Sequence, residues 1–364
     1  MKLAEVVAAI ESCVPLSLQE KYDNAGLIVG EPEMEIKAGL LCIDVTEPVL
    51  REAVHLGANL IISHHPVIFT PLKKITGSGL TERIILNAIR NNISLYSAHT
   101  NLDNFHEGVN LKICQKLDIR NSDILSPAEK SLNKLVTFVP LEYADRVRSA
   151  LFSAGAGHIG RYDQCSFNAE GQGSYRALAG ANPFSGEMEK LHLEKEVRIE
   201  TIFPAFLQKK ILRALMENHP YEEVAYDIYS LENTNKQMGA GMIGNLDEAM
   251  DEQAFFNKVK TTFKCGIIRH SPFLNVPVKK VAVCGGSGSF LIGKAMDAGA
   301  EVFLTADVRY HQFFEADGNI VIADIGHYES EQFTIEIFYE ILLKNLPSFA
   351  VHFSRINTNC ITYL

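Results

Sequence analysis

A chain of 364 residues, 47% hydrophobic and 21% charged, has the composition of an ordinary globular protein and is too long for one compact core, so about two or three domains are expected. Its 34 lysines and arginines against 44 aspartates and glutamates give a formal charge of −10, with no basic run that would track a phosphate backbone, which argues against nucleic acid as a partner. No run of about 18 apolar residues offers a membrane span, and seven cysteines scattered singly, without a Cys-x-x-Cys, indicate neither a disulfide framework nor a thiolate zinc cage.

The N-terminal MKLAEVVAAIESCVP reads as a short amphipathic helix with acidic residues inside it, unlike a signal peptide, and a cytoplasmic location is expected. Strands are then predicted over Gly39–Ile43, Leu60–Ile62 and Ile93–Ser97, with a helix over Glu47–Leu56 between the first two. From Leu132 to Leu231 the pattern changes. Strand Lys134–Val139, helix Tyr143–Ala154, strands around Gln164–Ala169 and Arg176–Ala179, strand Glu196–Phe203, helix Ala205–Asn218 and strand Val224–Tyr229 follow one another. Phe138-Val139-Pro140 through Ala150-Leu151 echoes Ile202-Phe203-Pro204 through Ala214-Leu215, a doubled β-α-β plan of the ferredoxin-like kind. Asn233–Gly241, polar and glycine-containing, reads as a return linker. Beyond it, strands Val281–Cys284, Val302–Thr305 and Ile320–Ala323 resume the α/β pattern, with helix Phe290–Ala298 between the first two.

The two ends of the chain repeat one another. Cys42 matches Cys284, Ala53 matches Ala295, and Gly57-Ala58 matches Gly299-Ala300, all at one offset. That register sets His65 opposite Asp307, and His99-x-x-x-Asp103 corresponds to His327-x-x-x-Glu331 after an indel. The expected organisation is a core half over 1–130, an inserted domain over 131–235 and a second core half over 236–364, with the two halves bringing distant parts of the chain to one cleft.

Chemistry concentrates where these strands end. In Ser63-His64-His65-Pro66 two consecutive imidazoles follow an apolar strand, and Pro66 forces His65 towards an extended backbone. Neighbouring side chains on an extended segment point to opposite sides, so the two rings reach two metal centres more easily than they chelate one; a surface loop with two histidines is the plain alternative. In Gly326-His327-Tyr328-Glu329-Ser330-Glu331, His327 and Glu331 share one face of a helix start. Imidazole and carboxylate together suit Zn, Mn, Fe or Co, and the two oxygens of Glu331 allow it to bridge a pair of ions. The plain alternative is that both glutamates merely complement the helix dipole, which suits Glu329 better than a ligand role and Glu331 equally well.

In Ser97-Ala98-His99-Thr100-Asn101-Leu102-Asp103, Asp103 is expected to ligate and His99 to orient a ligand or carry a proton. Asp307 and His311, in Thr305-Ala306-Asp307-Val308-Arg309-Tyr310-His311, fall near the same cleft, where they position substrate or water; equally, Asp307 caps the following helix. His99 and His311 are the candidate proton carriers. Tyr22-Asp23-Asn24 and Asp44 read as cleft walls. Cys284-Gly285-Gly286-Ser287-Gly288 lacks the ending of a P-loop and reads as a tight turn before it reads as an anion cradle.

Taken together, Tyr-Asp-Asn-Ala-Gly-Leu-Ile-Val-Gly, Ser-His-His-Pro, His-Thr-Asn-Leu-Asp, Cys-Gly-Gly-Ser-Gly, Thr-Ala-Asp-Val-Arg-Tyr-His and Gly-His-Tyr-Glu-Ser-Glu resemble the GTP cyclohydrolase I type 2 homologue family, the Nif-three-like dinuclear metal-centre proteins, over nearly the whole chain. Tyr22 stands where that family commonly has Trp, and Ala306 where Gly is usual. The resemblance implies two divalent ions held by His64, His65, Asp103, His327 and Glu331. It also implies a ring-like homohexamer and an inserted domain similar to the PII and CutA proteins, whose signature His219-Pro220-Tyr221-Glu222-Glu223-Val224-Ala225-Tyr226-Asp227 resembles. The cyclohydrolase label implies attack of water at C8 of the guanine of GTP. Fold and site transfer better than reaction, so two functions compete: a metal-dependent hydrolase of a nucleotide or related phosphate-containing small molecule, and a non-catalytic metal-binding or metal-delivery scaffold whose inserted domain senses a ligand.

Overall fold

The computed structural model describes residues 1–364. It divides into two units by contact, Met1–Pro127 with Lys236–Leu364, and Ala128–Asn235. In chain order the first stretch forms α1 (Leu3–Cys13), β1 (Gly26–Val29), β2 (Ala38–Cys42), α2 (Glu47–Leu56), β3 (Leu60–Ser63), α3 (Leu80–Arg90), β4 (Ser94–Ser97), α4 (Thr100–Asp103), α5 (Val109–Lys116) and β5 (Arg120–Pro127). The second unit contributes β6 (Leu132–Pro140), α6 (Ala144–Ser153), β7 (Phe167–Arg176), β8 (Leu191–Pro204), α7 (Gln208–Asn218) and β9 (Tyr226–Leu231). The chain then returns through β10 (Gly239–Met250), α8 (Glu252–Phe263), β11 (Arg269–His270), β12 (Val278–Ser287), α9 (Ile292–Asp297), β13 (Val302–Ala306), β14 (Val321–Asp324), α10 (His327–Glu331), α11 (Thr334–Asn345) and β15 (Ala350–Phe353).

The α/β reading holds, and the repeat is visible in the topology of the first unit. One sheet has the order β1-β4-β3-β2-β15 and the other β11-β14-β13-β12-β10-β5. In each, three parallel strands (β2, β3, β4 and β12, β13, β14) are followed by an antiparallel neighbour, β1 or β11. Each half also lends an edge strand to the other's sheet. β15, from the C-terminal end, pairs parallel with β2, and β5, from the N-terminal half, pairs antiparallel with β10.

Helices cover both faces of the parallel strands, which is why these strands read as unbroken apolar runs instead of alternating ones. Leu41, Leu60, Ile62 and Tyr96 share a core with Val283, Val302, Leu304 and Ala323 and with α1, α5, α8 and α11. The intervening residues Leu40, Cys42, Ile61 and Leu95 turn the other way, onto α2 and α3. α2 is bounded as its sequence directs: Thr46 accepts a bond from Val49 N at 3.4 Å, and Gly57 ends it in the left-handed region.

In the second unit the sheet order is β7-β8-β6-β9, antiparallel throughout, and the element order is strand, helix, strand, strand, helix, strand. This is the ferredoxin-like plan. α6 and α7 pack on one face through Val147, Leu151, Ile211 and Leu215 against Leu135, Val139, Val197, Ile199 and Phe203. The two strands expected around Gln164–Ala169 and Arg176–Ala179 are one strand, β7, because its register with β8 runs unbroken from Phe167 to Arg176 through two glycines that hide the alternation. The polar linker ends earlier than expected, since Gly239–Gly241 already belongs to β10.

Candidate metal centre

Parallel register brings the polar residues into line at the carboxyl ends of the strands, where open α/β sheets bind ligands. Cys42 pairs with Ser63 and Ser63 with Ser97, so Asp44, His65 and His99, each two residues further on, stand side by side. In the other half β13 ends at Ala306, immediately before Asp307, and β14 at Asp324, three residues before His327. α4 and α10 begin there and carry Asp103 and Glu331 inward.

Glu331, only 2% exposed, lies at the centre. Its Oε1 is 3.6 Å from His64 Nε2, while its Oε2 is 3.0 Å from His65 Nε2 and 3.1 Å from His327 Nε2. Asp103 Oδ1 lies 3.6 Å from His64 Nε2, and the two Nε2 atoms of His65 and His327 are 3.3 Å apart. Three nearby polar atoms, His64 Nε2, Asp103 Oδ1 and Glu331 Oε2, are buried without a hydrogen-bond partner. Each such orphan costs about 1–3 kcal/mol. Ligand atoms bound at about 2.1 Å to one ion at right-angled or tetrahedral spacing stand about 3.0–3.4 Å apart, so the separations of 3.0, 3.1 and 3.3 Å among Glu331, His65 and His327, with the orphaned atoms beside His64, fit a site that could bind metal. Three donor groups overlap here: His64 with Asp103 and Glu331, His65 with His327 and Glu331, and His64 with His65 and His99.

Each of these imidazoles is fixed through its other nitrogen. His64 Nδ1 donates to Ala98 O at 3.0 Å, His65 Nδ1 to Asp44 at 2.7 Å and His327 Nδ1 to Asp307 at 2.7 Å, leaving Nε2 directed inward. Burial opposes charge on His65, yet its hydrogen bond to Asp44 and the Glu331 carboxylate beside it raise its pKa to about 10; His327, likewise buried but bonded to Asp307 and beside Glu331, is raised to about 11. Burial and the neighbouring Glu331 push Asp103 well up. Glu331, despite burial, is held well below the carboxylate range by His64, His327 and His65. The centre is arranged for more positive charge than its side chains supply.

His99 donates from Nδ1 to Asp23 Oδ1 at 2.8 Å, and Thr100 N donates to the other oxygen of that carboxylate at 3.0 Å. Burial works against charge on Asp23, but the bonds from His99 and Thr100 bring its pKa down to about 2. His99 is thus held edge-on to His64 and His65, with ring centroids 5.3 Å from each. His311 is not brought to the cleft. The left-handed backbone at Asp307 (φ 54°) turns the chain into the short 3-10 helix Tyr310–Ala316, where His311 is exposed beside Tyr310 and Phe314. Nor does Asp307 cap that helix. Arg309 occupies the cap position, and the Asp307 carboxylate accepts from His327 and Ser287 instead.

The glycine-rich loop is a packing device with its amides already engaged. Gly285 N donates to Asn110 Oδ1, Gly286 N to Ser330 Oγ and Gly288 N to Thr305 Oγ1. A Cβ on Gly286, whose φ is +62°, would lie 2.3 Å from Glu331 Oε1. Glycine there gives the central carboxylate its place. The anchoring roles of Asp23, Asp44 and Asp307 were not assigned by the motifs. For Asp44 and Asp307 the signal was present in their position, two residues past the end of β2 and one past the end of β13; Asp23, which precedes β1, carried no such signal.

Tyr22, Phe69, Pro66 and Phe290 wall a cleft of about 690 Å³ that opens onto His65, His99, His327 and Glu331, and no lysine or arginine lines it. A family model for Duf34/NIF3 (NGG1p interacting factor 3) matches residues 1–360 of the chain. The chain belongs to the DUF34/NIF3 family. A relative from Halalkalibacterium halodurans named GTP cyclohydrolase 1 type 2 homolog is 41% identical over 333 residues, covering 90% of this chain and 89% of its own. A Bacillus subtilis relative of the same name is 39% identical, with 89% and 87% covered. The crystal structure of a Bacillus cereus protein related to NIF3 superposes with a TM-score of 0.86 at 37% identity, covering 100% of this chain and 99% of that one. As a DUF34/NIF3 protein, the chain shares that fold, and its His/carboxylate cluster sits where the strands of both repeats end. None of its helices is long and apolar enough to cross a membrane.

Proposed function

We propose that the cleft holds two divalent ions, drawn from Zn, Fe, Mn or Co, and that the chain is a metal-dependent hydrolase of a nucleotide or related phosphate-containing small molecule. The observation that carries this is Glu331, buried with one oxygen towards His64 and the other towards His65 and His327. His64, Asp103 and Glu331 would hold one ion, and His65, His327 and Glu331 the other. Such a pair supplies Lewis acidity that makes water a nucleophile near neutral pH and polarises the bond it attacks.

The chain's own residues do the rest. His99, with Nδ1 bound to Asp23, keeps Nε2 to take or return a proton beside the centre. Tyr22, Phe69 and Phe290 offer aromatic faces to a planar base, and Phe69 stands 6.1 Å from His99. Exposed His311 is left out of this proposal. Because no Lys or Arg lines the cleft, a phosphate would have to rest on the ions themselves. The same absence favours the second reading, a metal-binding or metal-delivery scaffold.

Metal content per chain of wild type and Glu331→Ala, with turnover of GTP and generic phosphoesters by the same samples, tests both. Two ions in wild type, fewer in the variant and a parallel loss of activity support the hydrolase. Two ions without turnover favour the scaffold, and no bound metal after reconstitution sinks both. A homohexamer is proposed with this reading; sedimentation equilibrium should give six times the 40.4 kDa chain mass.

A further inference from the structure

The second unit has a cavity of its own, about 590 Å³, that the metal centre leaves unused. Its floor is the face of the sheet opposite α6 and α7. Val139, Val197 and Ile199 turn to the helices, so Phe138, Glu196 and Arg198 turn away from them. Register sets Gly171 opposite Glu196 and Gly173 opposite Glu194, so this face of β7 is bare at two successive positions. A Cβ on Gly171 would meet nothing within 4 Å, whereas one on Gly173 would strike the Glu196 carboxylate at 2.1 Å. One glycine opens the cavity and the other makes room for a carboxylate in it.

Aromatic rings form the wall. Tyr221 lies 5.9 Å from Tyr175 and 5.8 Å from Phe184, centroid to centroid. Phe184 belongs to the irregular segment 177–190, which is tied down where Tyr175 Oη donates to Ser185 O at 2.8 Å and Asn182 N donates to Glu222 Oε1 at 2.8 Å. Tyr221 Oη donates to Glu196 Oε1 at 2.8 Å, orienting that carboxylate and leaving Oε2 without a donor. Glu170, Glu196 and Glu223 line the cavity with no ion-pair partner, while its one cation, Arg198, is engaged by Glu200 at 2.9 Å.

We propose that this cavity binds a small organic cation, an amine or amidine, with its charge on Glu196 and its body among Tyr175, Phe184 and Tyr221. Aromatic faces attract cations, and a carboxylate with a free oxygen accepts charge-assisted bonds from N–H donors. The excess of carboxylates turns anions away, phosphates included. The ligand is therefore of opposite charge to the phosphate-containing substrate proposed for the metal cleft, and the two sites are independent in chemistry.

Calorimetric titration of the full-length protein with benzylamine, with benzyl alcohol as its neutral counterpart, tests this. Saturable uptake of benzylamine is expected, with benzyl alcohol about tenfold weaker or worse. Glu196→Gln, which still accepts from Tyr221, should weaken the amine by about tenfold, and Gly171→Leu should abolish its binding by filling the open space. Glu331→Ala should bind it as wild type does. Phe184→Ala, in the irregular segment, is the second variant should Gly171→Leu melt early by circular dichroism, and it should weaken the amine likewise. Equal binding of the alcohol, indifference to Glu196→Gln and Phe184→Ala, or loss in Glu331→Ala overturns the proposal. So does a wild type that takes up no amine while Gly171→Leu breaks subunit assembly in sedimentation, a result that would give the face to a second copy of the chain.

Discussion

At the scale of single residues, the candidate metal centre depends on groups that never reach it. Asp44 and Asp307 hold His65 and His327 by Nδ1, so that the opposite nitrogen points inward in the correct tautomer. Asp44→Asn and Asp307→Asn should each reduce metal affinity by about 10–100-fold, read by competition with a chelator, while the ligand set stays complete. Protonation adds a second expectation. In the metal-free protein the pKa values of His65 and His327 are raised, to about 10 and 11, by the carboxylates around them, so at neutral pH this pair of rings, with Nε2 atoms 3.3 Å apart, shares at least one extra proton. The stability they contribute is fully present below the ordinary histidine range and is lost only as pH rises through those values. An ion must displace such a proton, so metal uptake at pH 7 should release at least one proton per chain, and affinity should climb with pH. Uptake in weak buffer with an indicator dye, showing no acidification, would contradict this charge state.

At the scale of elements, the site is made by strand ends and the loops that follow them. The sharpest case is the loop after Cys284, where Gly286 adopts φ +62° with the Glu331 carboxylate against its α-carbon. Gly286→Ala combines backbone strain with a 2.3 Å clash. It should cost more than about 1 kcal/mol in denaturant melts and lower metal content, while an alanine at Gly293, where a Cβ meets nothing, should do neither. Much of this level was legible in the sequence. The apolar runs at Leu60–Ile62 and Val302–Thr305 mark the inner strands because both faces are buried, and the caps of α2 at Thr46 and Gly57 are local chemistry. β5, β10 and β15 were missed because nothing local marks them. β5 pairs across 120 residues of chain with β10, and β15 joins a sheet made by the other half. His311 was placed in the cleft by the repeat, but the turn at Asp307 breaks the correspondence at that point.

For the whole molecule, the exchange of edge strands couples the two halves of the first unit: a change that loosens one sheet removes an edge from the other. On the proposed reading, an ion held where β3 and β14 end would add to that coupling, since binding to the folded state alone stabilises by about 2.7 kcal/mol at a hundredfold excess over Kd. Stripping metal with a chelator should therefore lower Tm, and restoring it should bring Tm back; in Glu331→Ala the chelator should have little left to change. The organisation of the chain, with its repeated ends and a different middle, was readable from matched residues such as Cys42 and Cys284. The geometry between Nε2 atoms 3.3 Å apart was not, because it comes from pairing over more than 260 positions (His65 to His327).

That separation has a bearing on how the protein is made. His64 leaves the ribosome 267 positions before Glu331 (331 − 64), and at about 5–20 residues per second the interval is roughly 13–53 s. Throughout it the growing chain exposes the His64-His65 pair without the carboxylate that joins the two donor groups. On the proposed reading no paired centre can form before Glu331 is made, so an ion that needs both donor groups is taken up by the assembled site and not by the early His64-His65 pair.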